Sequence, residues 1–194
     1  LKTETRIGPK SYLSPGSAFA GGTLARDLKY LDKIRKKFKL KTPLLSSVII
    51  SNNQHKEWVN KKLKSFFPNL KNKIIAIWGL AYKSGTNSLQ RSISVELCSR
   101  LITKGAIIKV YDSKVKKLPK NWKNKIKNFS NPIEAVKNAN VLVVFNKDNK
   151  YFNISEKILS KAAKNIIILD ANRVLGHLTK SRNFKYFSVG MSGK

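Results

Sequence analysis

The sequence is poor in cysteine, histidine and acidic residues. Its one cysteine, Cys98, cannot form a disulfide within the chain or supply a multi-cysteine zinc site. The two histidines, His55 and His177, are far apart in sequence and have no spacing typical of metal ligands. These absences exclude the disulfide-rich and zinc-finger classes and favour the cytosol, where thiols stay reduced.

Long apolar runs are also missing. The longest, such as Val141–Phe145 and Ile166–Leu169, are far shorter than the roughly 20 residues that a membrane-spanning helix needs. The first residues, Leu1–Arg6, have neither a basic start nor an apolar stretch, so they do not form a signal peptide. We therefore expect no membrane segment, and we expect the chain to be cut from a longer protein.

Acidic residues are the scarcer charged class. Ten Asp and Glu stand against 40 Lys and Arg, which gives a formal net charge of +30. Such a charge attracts polyanions if it lies on one face. Most of the excess is lysine spread over the whole length, which favours background usage on solvated faces. A basic module that binds nucleic acid or another polyanion is the less favoured alternative, since no single-strand platform or helix-turn-helix is visible.

What the sequence does contain is enough apolar material, 41% of 194 residues, for one or two compact domains. Gly, Pro and Ser indicate loops over residues 5–22. Apolar residues at spacings of three and four predict a helix from Leu24 to about Phe38. A second helix is predicted from Pro43 to a point before Pro68, long enough to connect two domains.

After residue 70, short β-branched runs alternate with helical stretches. The predicted strands are Ile74–Trp78, Ile107–Tyr111, Val141–Phe145, Ile166–Asp170 and, more weakly, Phe184–Val189. This alternation predicts an α/β fold with a doubly wound parallel sheet of about five strands. We place one domain boundary near residue 70. Ligands of such sheets bind beyond the carboxyl ends of the strands, here at Gly79–Leu89, Asp112, Asn146 and Ala171–Gly176.

Four segments resemble one known family. The strand Ile74–Trp78 leads into a glycine turn and then Lys83, which can direct an ammonium group at a phosphate. The stretch Gly79–Ser92 (GLAYKSGTNSLQRS) resembles the start of the C-terminal domain of UDP-glucose and GDP-mannose dehydrogenases. Three further segments resemble, in the family's order, the end of its central domain, its active-site loop and its late arginine segment: Arg6–Lys10 (RIGPK), Phe19–Asp27 (FAGGTLARD) and Asp170–Leu175 (DANRVL).

The resemblance implies a Rossmann-like UDP-binding domain over residues 71–194, preceded over residues 1–70 by the last part of a central dimerisation domain with a connecting helix. It also implies a cytoplasmic homodimer of polysaccharide biosynthesis that oxidises a UDP-sugar, by family expectation UDP-glucose, with NAD. The family's glycine-rich dinucleotide fingerprint is missing from this sequence, so we expect the chain alone to be inactive.

By the same resemblance, Lys83 and Arg173 would hold the diphosphate of the nucleotide sugar. Arg6 would reach into the site of a neighbouring subunit, and Tyr12 and Leu13 would lie in the loop whose backbone lines the nucleotide sugar. Taken singly, Arg6 and Arg173 would be surface ion-pair residues, but their positions within the motifs favour the binding role.

The catalytic positions depart from the family. Its enzymes use a cysteine thiolate to attack the aldehyde made by the first hydride transfer, and Thr23 stands where that cysteine belongs. A threonine without an adjacent base is a poor nucleophile, and Cys98, on an apolar helical pattern, is most simply a core residue. Asp27 matches the aspartate that helps to hold the catalytic water, and it could also cap a helix. Gln90 replaces an arginine that contacts the dinucleotide, and Arg91 follows it.

These departures leave three alternatives open. With Thr23, the enzyme hydrates the aldehyde without a covalent step, or it stops at the aldehyde. Thr23 and Gln90 together also fit an inactive paralogue that regulates an active partner through mixed dimers.

Overall fold

A computed structural model describes residues 3–11, 13 and 15–191. Within these ranges the α-helices are α1 Leu24–Lys37, α2 Pro43–Lys56, α3 Trp58–Phe66, α4 Ile93–Thr103, α5 Pro132–Val136, α6 Asn149–Phe152 and α7 Glu156–Ala162. The strands are β1 Ile74–Trp78, β2 Ile107–Tyr111, β3 Ile126–Phe129, β4 Val141–Val144, β5 Ile167–Asp170 and β6 Lys185–Phe187. None of the helices found there combines the length and the apolar character needed to cross a membrane.

The strands form one parallel sheet in the order β3-β2-β1-β4-β5-β6. The chain starts in the middle with β1, moves outward to β3 and then returns to the other side of β1. There Ile77 lies opposite Val110 of β2 on one side and Val143 of β4 on the other. Because the strand order reverses between β1 and β4, the loops after these two strands border the crevice in which such sheets bind ligands.

Both faces of the sheet are covered by helices. Side chains alternate along a strand, so Ile75 and Ile77 belong to the core on one face and Ala76 and Trp78 to the core on the other. The helical residues that complete these cores include Leu63, Leu97 and Leu101 on the first face and Ala135, Val136 and Leu159 on the second. The predicted doubly wound α/β fold is therefore confirmed.

The sheet has six strands where the sequence predicted about five. The missed strand, β3, lies at the edge of the sheet, and its central residues Lys127 and Asn128 are exposed. The central strands were identified by their continuous apolar runs. Two polar residues in the middle of β3 interrupt such a run, so this signal is missing there. The weakest prediction, over residues 184–189, is confirmed as β6.

The helix predicted from Pro43 to a point before Pro68 is divided in two at Glu57. The second half, α3, buries Val59 and Leu63 in the core of the sheet, whereas α2 buries none of its residues. Apolar spacing alone does not reveal that the two halves lie in such different environments. The division into residues 1–70 and 71–194 stays a prediction.

Candidate functional site

A cleft opens at the carboxyl ends of β1, β2 and β4, where the strand order reverses. It is lined by Gly79, Lys83, Ser84, Gly85, Thr86, Asp112, Ser113, Lys114, Asn146, Lys147, Asp148 and Tyr151, and we call it the lysine cleft. The loops that the sequence predicted as ligand sites after these three strands thus meet at one place. Three ammonium groups and four hydroxyl groups line this edge, a set of donors that suits a phosphate group.

Asp112, directly after β2, holds the loop that follows β1. Its Oδ2 accepts hydrogen bonds from the N–H groups of Leu80 (2.7 Å) and Ala81 (3.0 Å). Its Oδ1 accepts from the N–H groups of Lys114 (2.8 Å) and Val115 (2.9 Å). In a dinucleotide-binding sheet the amides at the turn after the first strand bind pyrophosphate, but two of these amides already have an internal carboxylate as partner. These two amides are therefore not free to bind a phosphate, and the donors that line the lysine cleft are its lysine ammonium groups and its hydroxyl groups.

Asn146, the second residue after β4, holds the same loop from the other side. Its Nδ2 donates to the carbonyl oxygen of Ala81 at 2.7 Å, and the N–H of Lys147 donates to Ser84 Oγ at 3.0 Å. Gly79 has a φ of +90°, and a Cβ added there would lie 2.7 Å from Asn146 Cβ and 2.8 Å from its backbone nitrogen. The close approach of the two loops therefore requires glycine at position 79.

Lys83 is exposed at this cleft, with its Nζ 5.5 Å from the centre of the Tyr82 ring. Among the ion pairs found between described residues, none includes Lys83. The backbone of its loop is fixed, and its ammonium group is in no ion pair with a described carboxylate, although Asp112 and Asp148 line the same cleft. This combination leaves Lys83 able to bind an anion.

Arg173 lies outside the lysine cleft. It follows β5 with a φ of +55°, and its Nε donates to Ser188 Oγ at 3.2 Å while an Nη donates to the carbonyl oxygen of Val189 at 3.1 Å. The guanidinium group is therefore directed to the residues that follow β6, and no contact joins it to Lys83. Their shared contact with a diphosphate stays a prediction.

Asp170, the last residue of β5, shapes the segment that carries Arg173. This buried carboxylate accepts hydrogen bonds from the N–H of Leu175 (2.7 Å) and the hydroxyl of Tyr186 (2.9 Å), both at Oδ2. Burial raises the pKa of Asp170, and the hydrogen bonds from the backbone act in the opposite direction. Sequence analysis gave Asp170 no role, although an acidic residue at the end of a continuously apolar strand was the available signal.

The segment before α1 is held by side chains of α2. Asn52 accepts the N–H of Phe19 at 2.9 Å and donates to its carbonyl oxygen at 3.2 Å. His55 Nε2 lies 2.7 Å from the carbonyl oxygen of Gly16, and since a carbonyl oxygen only accepts, that nitrogen carries the proton. Neither residue was singled out from the sequence as a binding residue.

The predicted catalytic residues lie exposed at the start of α1. Thr23 is the N-cap residue, but its side chain makes no capping hydrogen bond. Asp27 lies within the first turn, where its Oδ1 accepts from Arg26 Nε at 3.0 Å. The alternative that Asp27 caps the helix is wrong, because α1 begins earlier, at Leu24.

Of the two predicted cofactor residues, Arg91 is the one with a contact to the segment before Thr23. Its Nη1 lies 3.5 Å from the carbonyl oxygen of Gly21, while the backbone N–H of Gln90 bonds within its own loop. Gly21 has a φ of +84°, and a Cβ there would collide with the Tyr82 ring. The loop after β1 therefore packs against the segment that leads to the catalytic position.

The remaining predicted site residues precede this segment. Arg6 has 88% of its side chain exposed, and its Nε lies 2.9 Å from Glu4 Oε1. Leu13 is 42% exposed, and Tyr12 lies outside the described residues. The contact of Arg6 with a neighbouring subunit and the roles of Tyr12 and Leu13 stay predictions.

Cys98 is fully buried on α4, and burial raises the pKa of its thiol far above the ordinary value. It packs in the core between α4 and the sheet, as the apolar spacing predicted. A thiol that is neutral and enclosed cannot act as the missing nucleophile.

We expect the native chain to react with a thiol reagent at least about a hundredfold more slowly than the chain in denaturant, because the Cys98 thiol becomes accessible only on unfolding. Timed alkylation followed by mass spectrometry measures both rates. Equal rates with and without denaturant would contradict the core position.

Residues 76–177 match the family model described as the UDP-glucose/GDP-mannose dehydrogenase family, UDP binding domain. The chain is 27% identical to the UDP-glucose 6-dehydrogenase of Rickettsia prowazekii over 191 residues, which cover 96% of the chain and 44% of that protein. It is 30% identical to the GDP-mannose 6-dehydrogenase of Pseudomonas putida over 169 residues, or 81% of the chain and 37% of that protein. A solved UDP-glucose dehydrogenase from the hyperthermophilic archaeon Pyrobaculum islandicum has a TM-score of 0.81 at 18% identity, over 98% of the chain and 42% of the solved one. The chain thus spans less than half the length of these proteins.

Proposed function

Because this chain belongs to the UDP-glucose/GDP-mannose dehydrogenase family, we propose that the complete protein oxidises a UDP-sugar with NAD and that this chain contacts the substrate diphosphate. The observation that carries the proposal is the lysine cleft at the point where the strand order reverses. UDP-glucose is the expected substrate.

Lys83 is the residue on which we base the diphosphate contact. Its loop is held by Asp112 and Asn146, so that the ammonium group is presented from a fixed backbone. Binding to a prepared site costs little ordering entropy, which favours affinity. Arg173, which bonds to Ser188 and Val189 in the structure, is the proposed second cation.

The residues near the start of α1 would then lie on the sugar side of the site. Asp27 would help to hold the reacting water and exchange a proton with it, and Thr23 would occupy the position beside the sugar carbon. Thr23 lacks a hydrogen bond to any described residue that could act as its base, which favours hydration of the aldehyde or release of the aldehyde over a covalent step.

The residues present do not fit a complete NAD site. The amides of Leu80 and Ala81, where pyrophosphate would bind, already have Asp112 as acceptor, and only Gln90 and Arg91 are proposed to touch the cofactor. NAD supplies hydride acceptance when it is bound, and its main site belongs to the rest of the protein.

Calorimetric titration of UDP-glucose into the chain, with UDP and GDP-mannose as comparison ligands, tests the proposal. A hydrogen bond to a charged group contributes about 1.5–3 kcal/mol, so Lys83→Ala is expected to weaken UDP-glucose binding by about ten- to hundredfold. Lys161→Ala, which removes an exposed lysine of α7 outside the cleft, is the matched control and is expected to bind as the wild type does. Equal losses in both variants, or no binding by the wild type, would overturn the proposal.

A homodimer is the proposed assembly, and the apolar surface of α1 and α2 supports it. Large side chains on and between these helices are exposed: Leu24, Tyr30, Leu31, Phe38, Leu40, Leu44, Val48 and Ile50. Exposed apolar residues on two packed helices are typical of an interaction surface. In a homodimer the partner subunit would supply a second Arg6, in keeping with the proposed contact of that residue with a neighbouring site.

We expect Leu44→Glu, at a side chain that is 80% exposed on α2, to shift the chain from dimer to monomer in sedimentation equilibrium. Ile158→Glu on α7, at a side chain that is 44% exposed, is the control and should leave the dimer intact. A monomeric wild-type chain, or equal dissociation in both variants, would contradict this use of α2.

A further inference from the structure

Asn172, the second residue after β5, joins two parts of the chain that are distant in sequence. Its Oδ1 accepts hydrogen bonds from the N–H (2.9 Å) and the hydroxyl (3.2 Å) of Ser17. Its Nδ2 donates to the carbonyl oxygen of Phe145, the first residue after β4, at 2.8 Å. One amide group therefore connects the carboxyl ends of β4 and β5 with the segment before α1.

The segment approaches Asn172 closely at Gly16. A Cβ added at Gly16 would lie 2.6 Å from Asn172 Oδ1, so a larger residue there cannot coexist with the present contact. On the other side of the segment, His55 bonds the carbonyl oxygen of the same glycine. Residues 16–19 are thus held between α2 and the sheet.

The side chain of Asn172 points in a different direction from that of the next residue, Arg173. Arg173 points to Ser188 and Val189, whereas Asn172 points to the segment that leads to Thr23. Of these two polar side chains after β5, only Asn172 contacts the side of the sheet end on which the sugar would lie. Sequence analysis gave it no role.

We propose that Asn172 is a positioning residue that fixes residues 16–19 against the ends of β4 and β5 and so forms one wall of the nucleotide-sugar site. This inference rests on the proposed function, since it assigns Asn172 to the same site. The residue acts through the backbone of Ser17 and need not touch the substrate.

Two measurements on the complete chain test this role. Hydrogen exchange, measured without ligand, is expected to accelerate at least about tenfold at Ser17–Phe19 in Asn172→Ala, because the amide of Ser17 loses its acceptor. UDP-glucose binding by calorimetry is expected to weaken by about tenfold or more in the same variant. Asn140→Ala is the matched control, since Asn140 Oδ1 accepts one backbone N–H, that of Ile74, at the opposite end of the strands.

Gly16→Ala provides a second route to the same change without removing Asn172. It should reproduce both effects, and the double variant should be no worse than either single one, because both substitutions break one contact. Wild-type affinity in Asn172→Ala would overturn the inference and leave the Lys83 proposal standing. Equal loss of affinity in Asn140→Ala would also overturn it, as an effect of stability alone. A wild-type chain that does not bind UDP-glucose would overturn the proposed function, and the substrate role of Asn172 with it.

Discussion

Replacement of Asp112 by alanine is expected to lower the free energy of unfolding by about 3 kcal/mol or more, since a buried N–H without a partner costs about 1–3 kcal/mol. Leu80 and Ala81 are buried, and their amides would lose their acceptor along with those of Lys114 and Val115. The loop that carries the candidate phosphate-binding lysine would lose its support. Urea denaturation followed by circular dichroism measures the change.

The same variant is expected to bind UDP-glucose about tenfold more weakly. A loss of affinity would be informative, because removing a negative charge beside an anion site should by itself strengthen anion binding. Asp148→Ala is the matched control: Asp148 lines the same cleft, but among the described residues its side chain accepts one hydrogen bond, from the N–H of Lys150. We expect that variant to lose about 1 kcal/mol of stability as a helix cap and to bind UDP-glucose at least as well as the wild type. Tighter binding by Asp112→Ala would show that its charge matters more than its support of the loop.

Gly79→Ala is expected to be the most disruptive single-methyl change at the site. The positive φ costs an alanine about 1–2 kcal/mol, and overpacking against Asn146 adds about 1–3 kcal/mol. The collision includes the Asn146 backbone nitrogen, which cannot move away as a flexible side chain could. The shift would also strain the hydrogen bond from Asn146 to Ala81.

Gly85→Ala separates the two causes. Gly85 has a φ of +81° in the same loop, but a Cβ there meets no atom within 4 Å. It should therefore show the backbone cost alone, about 1–2 kcal/mol. Equal destabilisation by the two variants in urea titrations would mean that the approach of the loops after β1 and β4 is not as close as described.

The fold was largely predictable because its central strands are buried on both faces. Ile74–Trp78 and Val141–Val144 form continuous apolar runs for that reason, and their separation by helical periodicity predicts parallel pairing. The edge strand β3 gives no such signal, since Lys127 and Asn128 are solvated. The break at Glu57 depends on what each half of the helix packs against, which local periodicity does not encode.

The location of the cleft was predictable in the same way, because parallel strands place their following loops at one edge. The roles of Asp112 and Asn172 were not, since each bonds to partners that lie 27 to 155 residues away and whose approach depends on how the loops fold. The direction of Arg173 is a third case: its φ of +55° and its two acceptors after β6 take it away from Lys83. Family resemblance identifies the segment that contains Arg173, but the direction of its side chain depends on the backbone conformation of that segment.

A titration of UDP into the isotopically labelled chain, followed by the chemical shifts of its backbone amides, would show directly where the nucleotide binds. We expect saturable shifts concentrated at Gly79–Thr86 and Asn146–Asp148, the two loops of the lysine cleft that meet where the strand order reverses. Shifts that do not saturate and are scattered over the exposed lysines of the helices, with these two loops unchanged, would contradict the proposed site.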